Sequence, residues 1–170
     1  MIVLVILVLA GSVWAQTAPG NGPVQEARQA CKLKAYVIDP DPRGLKVRAG
    51  PDPKSPAIAV IPLDPDGTIV EIQGSDGLWL LIARAETVGM KKVFEGKGWV
   101  YGPMLGTETR TKATLYLQPG TRNQPVGTVD QEQEVVMQSC QGDWAKVKFK
   151  NLLGWLGPAY NCPNPVTTCP

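Results

Sequence analysis

The sequence predicts an all-β protein built as two small barrels in tandem, and three observations carry that prediction. A tryptophan motif occurs twice: Gly77-Leu78-Trp79 followed by Gly98-Trp99-Val100, then Gly142-Asp143-Trp144 followed by Gly154-Trp155-Leu156. The 170 residues include 16 prolines and 18 glycines, a content that suits short strands joined by tight turns rather than helices. The β-rich runs of the second half follow the same order as those of the first.

In the first half, Ala35-Tyr36-Val37-Ile38 reads as a short apolar strand closed by Asp39-Pro40-Asp41-Pro42. Leu45 and Val47 alternate with Lys46 and Arg48, and Ala49-Gly50-Pro51 turns the chain. Ala57 to Ile61 and Thr68 to Ile72 form two further strands around the turn Asp64-Pro65-Asp66-Gly67. Trp79 to Ala83 and Gly98 to Tyr101 complete the set. In the second half, Leu115-Tyr116-Leu117-Gln118-Pro119 parallels Val47 to Pro51, Pro125 to Val129 parallels Ala57 to Ile61, and Glu134-Val135-Val136 parallels Thr68-Ile69-Val70. The first copy carries extra residues around Ala85 to Gly96, which reads as an enlarged hairpin. Polar Thr107 to Thr111 reads as the junction. Strands this short gain stability by curling into barrels that remove their edges.

Ahead of the repeats, residues 1–15 read as a secretory signal, almost unbroken apolar from Ile2 to Ala10, with a cut ahead of Gln16. That stretch is shorter than the ~20 residues a membrane span needs, and no cysteine follows Leu9-Ala10-Gly11 to carry a lipid, so no stable membrane anchor is expected. Residues 16–31 read as a flexible linker, residues 32–107 as the first module and residues 108–170 as the second, with a disulfide-tied tail. The protein is expected to be secreted or periplasmic. Cys31, Cys140, Cys162 and Cys169 then imply two disulfides, with three connectivities open. The rival use, zinc, lacks both a CxxC spacing and any histidine.

Charge excludes other classes. Residues 32–107 carry ten basic and nine acidic side chains and residues 108–170 six and five, so neither module presents the basic block that nucleic acid requires. The chain has no histidine, which removes Ser-His and Cys-His dyads. Asp39/Asp41 and Asp64/Asp66 lie in Pro-flanked turns, where Asp supports turn geometry rather than a carboxylate pair. No cofactor and no catalytic residue are expected.

Leu45-Lys46-Val47-Arg48-Ala49-Gly50-Pro51, Gly67 to Ile72, Gly77-Leu78-Trp79 and Gly98-Trp99-Val100-Tyr101 resemble the bacterial SH3 family in order and spacing. The second copy departs at its opening, where Leu115 to Pro119 lacks the Arg-x-Gly, and resembles the pattern from Gly142-Asp143-Trp144 through Gly154 to Tyr160. The resemblance covers residues 35–162. It implies SH3-like barrels and a binding module: bacterial members hold peptidoglycan peptides or wall polymers, and eukaryotic relatives hold Pro-rich peptides in an aromatic groove. It also implies that the Gly-Asp-Trp turn lies near the turn ending at Tyr160, which would pair Cys140 with Cys162 and leave Cys31 for Cys169.

The strand Trp144 to Lys150 alternates strictly, placing Ala145, Val147 and Phe149 on one face and Lys146, Lys148 and Lys150 on the other. By parity Trp144 sits with the lysines and has to be covered by a turn, the other module or a ligand. In the resembled family this tryptophan walls the ligand groove, with Tyr160 opposite. Trp79 has the same parity, but Met104 stands where the second copy has Tyr160, so the second groove is expected to be the working one. A half-buried cap on a small core is the competing reading for both indoles. Trp99 and Trp155 read as packing residues. The lysine stripe reads as a solvated face or, if it binds, as a site for an anionic wall polymer or acidic peptide. The expected function is non-catalytic recognition of a cell-wall peptide or polymer. The alternatives are a protein–protein adaptor for an exported partner and a targeting or inhibitory subunit of a wall hydrolase.

Overall fold

The structure, a computed structural model, describes residues 24–166 and 169; the expected signal and its cleavage site lie outside the described residues. Thirteen strands follow in order: β1 (Gln29–Val37), β2 (Leu45–Arg48), β3 (Ala57–Ile61), β4 (Thr68–Asp76), β5 (Trp79–Thr87), β6 (Lys92–Tyr101), β7 (Leu105–Thr109), β8 (Ala113–Tyr116), β9 (Pro125–Val129), β10 (Glu134–Gln141), β11 (Trp144–Phe149), β12 (Leu152–Leu156) and β13 (Asn161–Cys162). Single 3₁₀ turns at Gly102–Met104 and Pro158–Tyr160 complete the description. The fold is all-β and every strand ladder is antiparallel, as the composition predicts.

Local chemistry accounts for the recurring motifs. Asp76 pairs with Trp79 and Gln141 with Trp144, leaving two-residue turns whose first residues, Gly77 and Gly142, share a φ of +58°. That left-handed position favours glycine and tightens the hairpin. The glycine of each Gly-Trp pair has a different role. A Cβ on Gly98 would lie 2.2 Å from Val47 Cγ1, and one on Gly154 would lie 2.7 Å from Val126 Cγ2 and 2.9 Å from Leu115 Cβ. The bare backbone there lets the opening strand of each half lay an apolar side chain flat across the closing strand. Alternation holds as expected in β2, where Leu45 and Val47 are buried and Lys46 is exposed. The two Asp-Pro turns also behave as read, with the Asp39 and Asp64 carboxylates accepting from the backbone N–H two residues on.

The sheet path runs β3-β2-β6-β5-β4-β1-β7-β10-β11-β12-β8-β9, with β13 beside β7. Each half therefore has one strand order, and the two orders face each other as mirror sequences about the β1–β7 pair. Most of the stretch read as a polar junction belongs to this sheet. Thr107 and Thr109 lie in strand β7 and are buried, because their hydroxyls are satisfied internally: Thr107 Oγ1 donates to the Cys162 carbonyl at 2.7 Å and Thr109 Oγ1 to the Asp130 carbonyl at 2.5 Å. Threonine that finds such partners makes a good strand residue, whatever its polarity. One contiguous apolar core extends from Leu45, Val47 and Ile82 in the first half to Leu115, Val147 and Leu156 in the second.

The end of the expected linker is likewise part of the fold. Trp99, fully buried, donates its indole N–H to the Gln25 carbonyl at 2.8 Å, and β1 starts at Gln29. The first residues of β1 also reach the β10–β11 turn, where Lys32 N–H donates to Gly142 O and Gly142 N–H to Ala30 O. That detour sets the disulfides. They are Cys31–Cys140 and Cys162–Cys169, not Cys140–Cys162 and Cys31–Cys169. Cys31 lies beside Cys140 because β1 spans both halves, while β13 holds Cys162 on the β1 side of β7, across that strand from β10. Ser75 Oγ donates to the Cys140 carbonyl at 2.8 Å and sits 3.1 Å from Ser139 Oγ, so the seam is hydrogen-bonded as well as covalently linked. Two disulfides in a described chain with no free cysteine match an oxidising, extracytoplasmic compartment.

Candidate binding site

Trp79 opens β5 directly after its glycine turn and faces Tyr101 across the ladder, with ring centroids 5.4 Å apart and tilted by 56°. Register alone makes this pair, since Trp79 and Tyr101 are directly opposed. Met104, from the following 3₁₀ turn, together with Leu45 and Pro53, completes an apolar floor and wall. Asp39 and Asp41 of the β1–β2 loop and Lys46 and Arg48 of β2 stand at the rim. Together these residues enclose a groove of about 440 Å³.

The charges at the rim are not equally free. Arg43 hydrogen-bonds Asp41 through its side chain and backbone and holds that carboxyl down at about 2. Arg48 donates to the Ser55 carbonyl within its own hairpin, at 2.6 Å. Lys46 and the second oxygen of Asp39 remain available, one of each sign. The groove can therefore hold an apolar or ring-bearing group against Trp79 while pairing both a cationic and an anionic group at its edge.

The corresponding indole of the second half has other neighbours. Trp144 meets Tyr116 edge-on, at 6.0 Å between centroids, and a Cβ on Gly157 would lie 3.2 Å from the indole. Counting from the paired tryptophans Trp99 and Trp155, Gly157 stands where the first half has Tyr101. Counting from Val47 and Leu115, Tyr116 stands where it has Arg48. With a glycine beneath it and a tyrosine at its edge, the indole lies down on the sheet. Tyr160 ends its 3₁₀ turn as expected but is half-buried against the core, and the aromatic neighbour of Trp144 is Tyr116.

Lys146 is directly opposed by Trp155 on β12 and lines a cleft facing the β4–β5 turn of the first half. Lys148 and Lys150 line an adjoining cavity with Leu78, Tyr101 and Pro103. Tyr101, Tyr116 and this inter-half cleft are the features sequence reasoning missed. The first two were legible in principle as the residues two beyond Trp99 and one beyond Leu115. The cleft follows from the β1–β7 seam and has no local signal.

Comparison with known proteins places the resemblance more narrowly than the motifs do. Residues 111–160 match the bacterial SH3 domain family. The match thus falls on the half whose opening departs from the motif, rather than on the half where the motifs are more complete. Among solved structures, the chain is similar to NlpC2 from Trichomonas vaginalis at 13% identity and a TM-score of 0.31, covering 76% of this chain and 47% of that one. It is similar to NlpC1 from the same organism at 11% identity and a TM-score of 0.32, covering 82% and 48%. The chain spans about half the length of each. No curated protein matches it.

Proposed function

We propose that this protein is a non-catalytic, exported binding protein that uses two bacterial SH3-like modules to recognise a cell-envelope ligand, and that the Trp79 groove takes a peptide of the cell wall. The observation carrying this reading is the open groove of about 440 Å³, in which an indole and a phenol stand next to charges of both signs. A wall peptide presents amino and carboxyl groups a few bonds apart, which matches the presence of both Asp39 and Lys46 in the groove with Trp79. The similarity of residues 111–160 to the bacterial SH3 domain and the two disulfides support the same assignment. Catalysis plays no part in this reading; the chain has no histidine, and the groove contains no nucleophile next to a base.

Sedimentation with purified peptidoglycan tests the reading. The oxidised chain is expected to pellet with the wall material, and Trp79→Ala to remain in the supernatant with its near-ultraviolet circular dichroism otherwise native. Equal pelleting of Trp79→Ala and the parent chain would reject the groove.

A further inference from the structure

We propose that the cleft between the halves is a second binding site, distinct from the Trp79 groove, and that its ligand is an extended acidic peptide. The cleft has a volume of about 440 Å³ and is bounded by Lys146, Leu153 and Trp155 on the second half and by Leu78 on the first. The cavity lined by Lys148 and Lys150 adjoins it, sharing Leu78 and Gln138. The lysine stripe thus runs along one side of a continuous depression.

Charge selects the occupant. Among the described residues, Lys146, Lys148 and Lys150 form no ion pair, whereas Arg28 at the rim is already paired with Asp76 at 3.1 Å. Lys146 and Lys148, alternate residues on one face of β11, invite carboxylates, while the Lys150 ammonium, from the turn that follows, lies 4.9 Å from the centre of the Phe149 ring. Spacing selects an extended chain, since alternate residues of a strand are about 6.8 Å apart, and so are alternate side chains of an extended peptide. Carboxylates at every second position would meet successive lysines. The intervening side chains would meet the apolar wall, where Leu153 is 51% and Leu78 42% exposed. A phosphate polymer could match the charge but would leave that apolar surface without a partner.

Calorimetry of the disulfide-bonded chain at low ionic strength tests this with a blocked octapeptide carrying Glu at alternate positions and Leu between. Binding is expected, weakening with added salt, and weaker for the isomer in which the same four Glu are contiguous. Replacing all three lysines by Gln should weaken binding about tenfold, and replacing them by Arg should preserve it. Asp39→Asn, at a residue that lines the groove and neither cavity of this cleft, should not weaken it, which separates this site from the groove. Three results would overturn the proposal: equal binding of the two Glu isomers, undiminished binding by the Gln variant, or tighter binding of inorganic polyphosphate than of the peptide.

Discussion

The two halves share a backbone plan and differ in what they do with one indole. Both place a glycine at φ +58° before the tryptophan, both leave a bare glycine where the opening strand crosses the closing one, and both follow the same strand order away from the seam. In the first half Tyr101 stands beside Trp79 and Arg48 turns back to its hairpin, so a groove stays open. In the second half Gly157 and Tyr116 occupy those two positions, and Trp144 packs against both. The fold is thus set by residues that permit close backbone approach, whereas the site is set by two side chains that leave the fold unaffected.

The largest effect expected concerns what joins the halves. Cys31–Cys140 spans 109 residues and Cys162–Cys169 only seven. Chain-entropy arguments give about 4.7 kcal/mol for a loop near the first length and about 2.5 kcal/mol for the second. Denaturant unfolding of Cys31→Ser/Cys140→Ser should therefore show nearly twice the loss of Cys162→Ser/Cys169→Ser. Equal losses would mean that the halves are held together without the bridge.

Next come the paired glycines. Gly98→Ala and Gly154→Ala should each cost roughly 1–3 kcal/mol through overpacking. Gly98 should be the more sensitive, because its methyl would meet Val47 at 2.2 Å against 2.7 Å for the nearest neighbour of Gly154. Thermal unfolding of both variants measures the order. In binding, Trp144→Ala should leave pelleting with peptidoglycan within about twofold of the parent while Trp79→Ala abolishes it; the reverse outcome would move the working groove to the second half.

The smallest effect lies at the seam. Glu108 and Glu134 are directly opposed on β7 and β10, and Tyr36 donates its hydroxyl to Glu134 at 3.0 Å. Desolvation first, then the charges of Glu134 and Glu132, push the Glu108 carboxyl above its ordinary range. A raised carboxyl adds stability that is fully present below its unfolded value and lost as pH rises through the folded one. Glu108→Gln should therefore stabilise the protein at pH 7, by about 0.2–1 kcal/mol. The gain should vanish as pH falls below the carboxylate range, which urea midpoints measured across pH would show.

Much of the fold was legible because its signals are local. Alternation in β2 and β11, the turns at Gly77 and Gly142 and the limits of β3 and β9 all follow from neighbouring residues. The misreadings share a cause. Thr107 and Thr109 appear linker-like until Cys162 and Asp130 accept their hydroxyls, and Gln25 appears disposable until Trp99 needs its carbonyl. Cys31 was given the wrong partner because nothing nearby in sequence shows that β1 serves both halves. At the site, Trp79, Trp144 and the lysine face were visible from parity. What packs beside each indole depended on cross-strand neighbours.

The bridging role of β1 also bears on how the molecule comes into being. A chain made from its amino end presents Cys31 when its partner is still 109 residues from being synthesised, whereas Cys162 finds its own partner within seven. The seam edge of the first half, along β1, also stays unpaired until Leu105 and Gly106 arrive. The first half is therefore completed late, by the second, and a truncated product would carry a lone reactive thiol alongside an open strand.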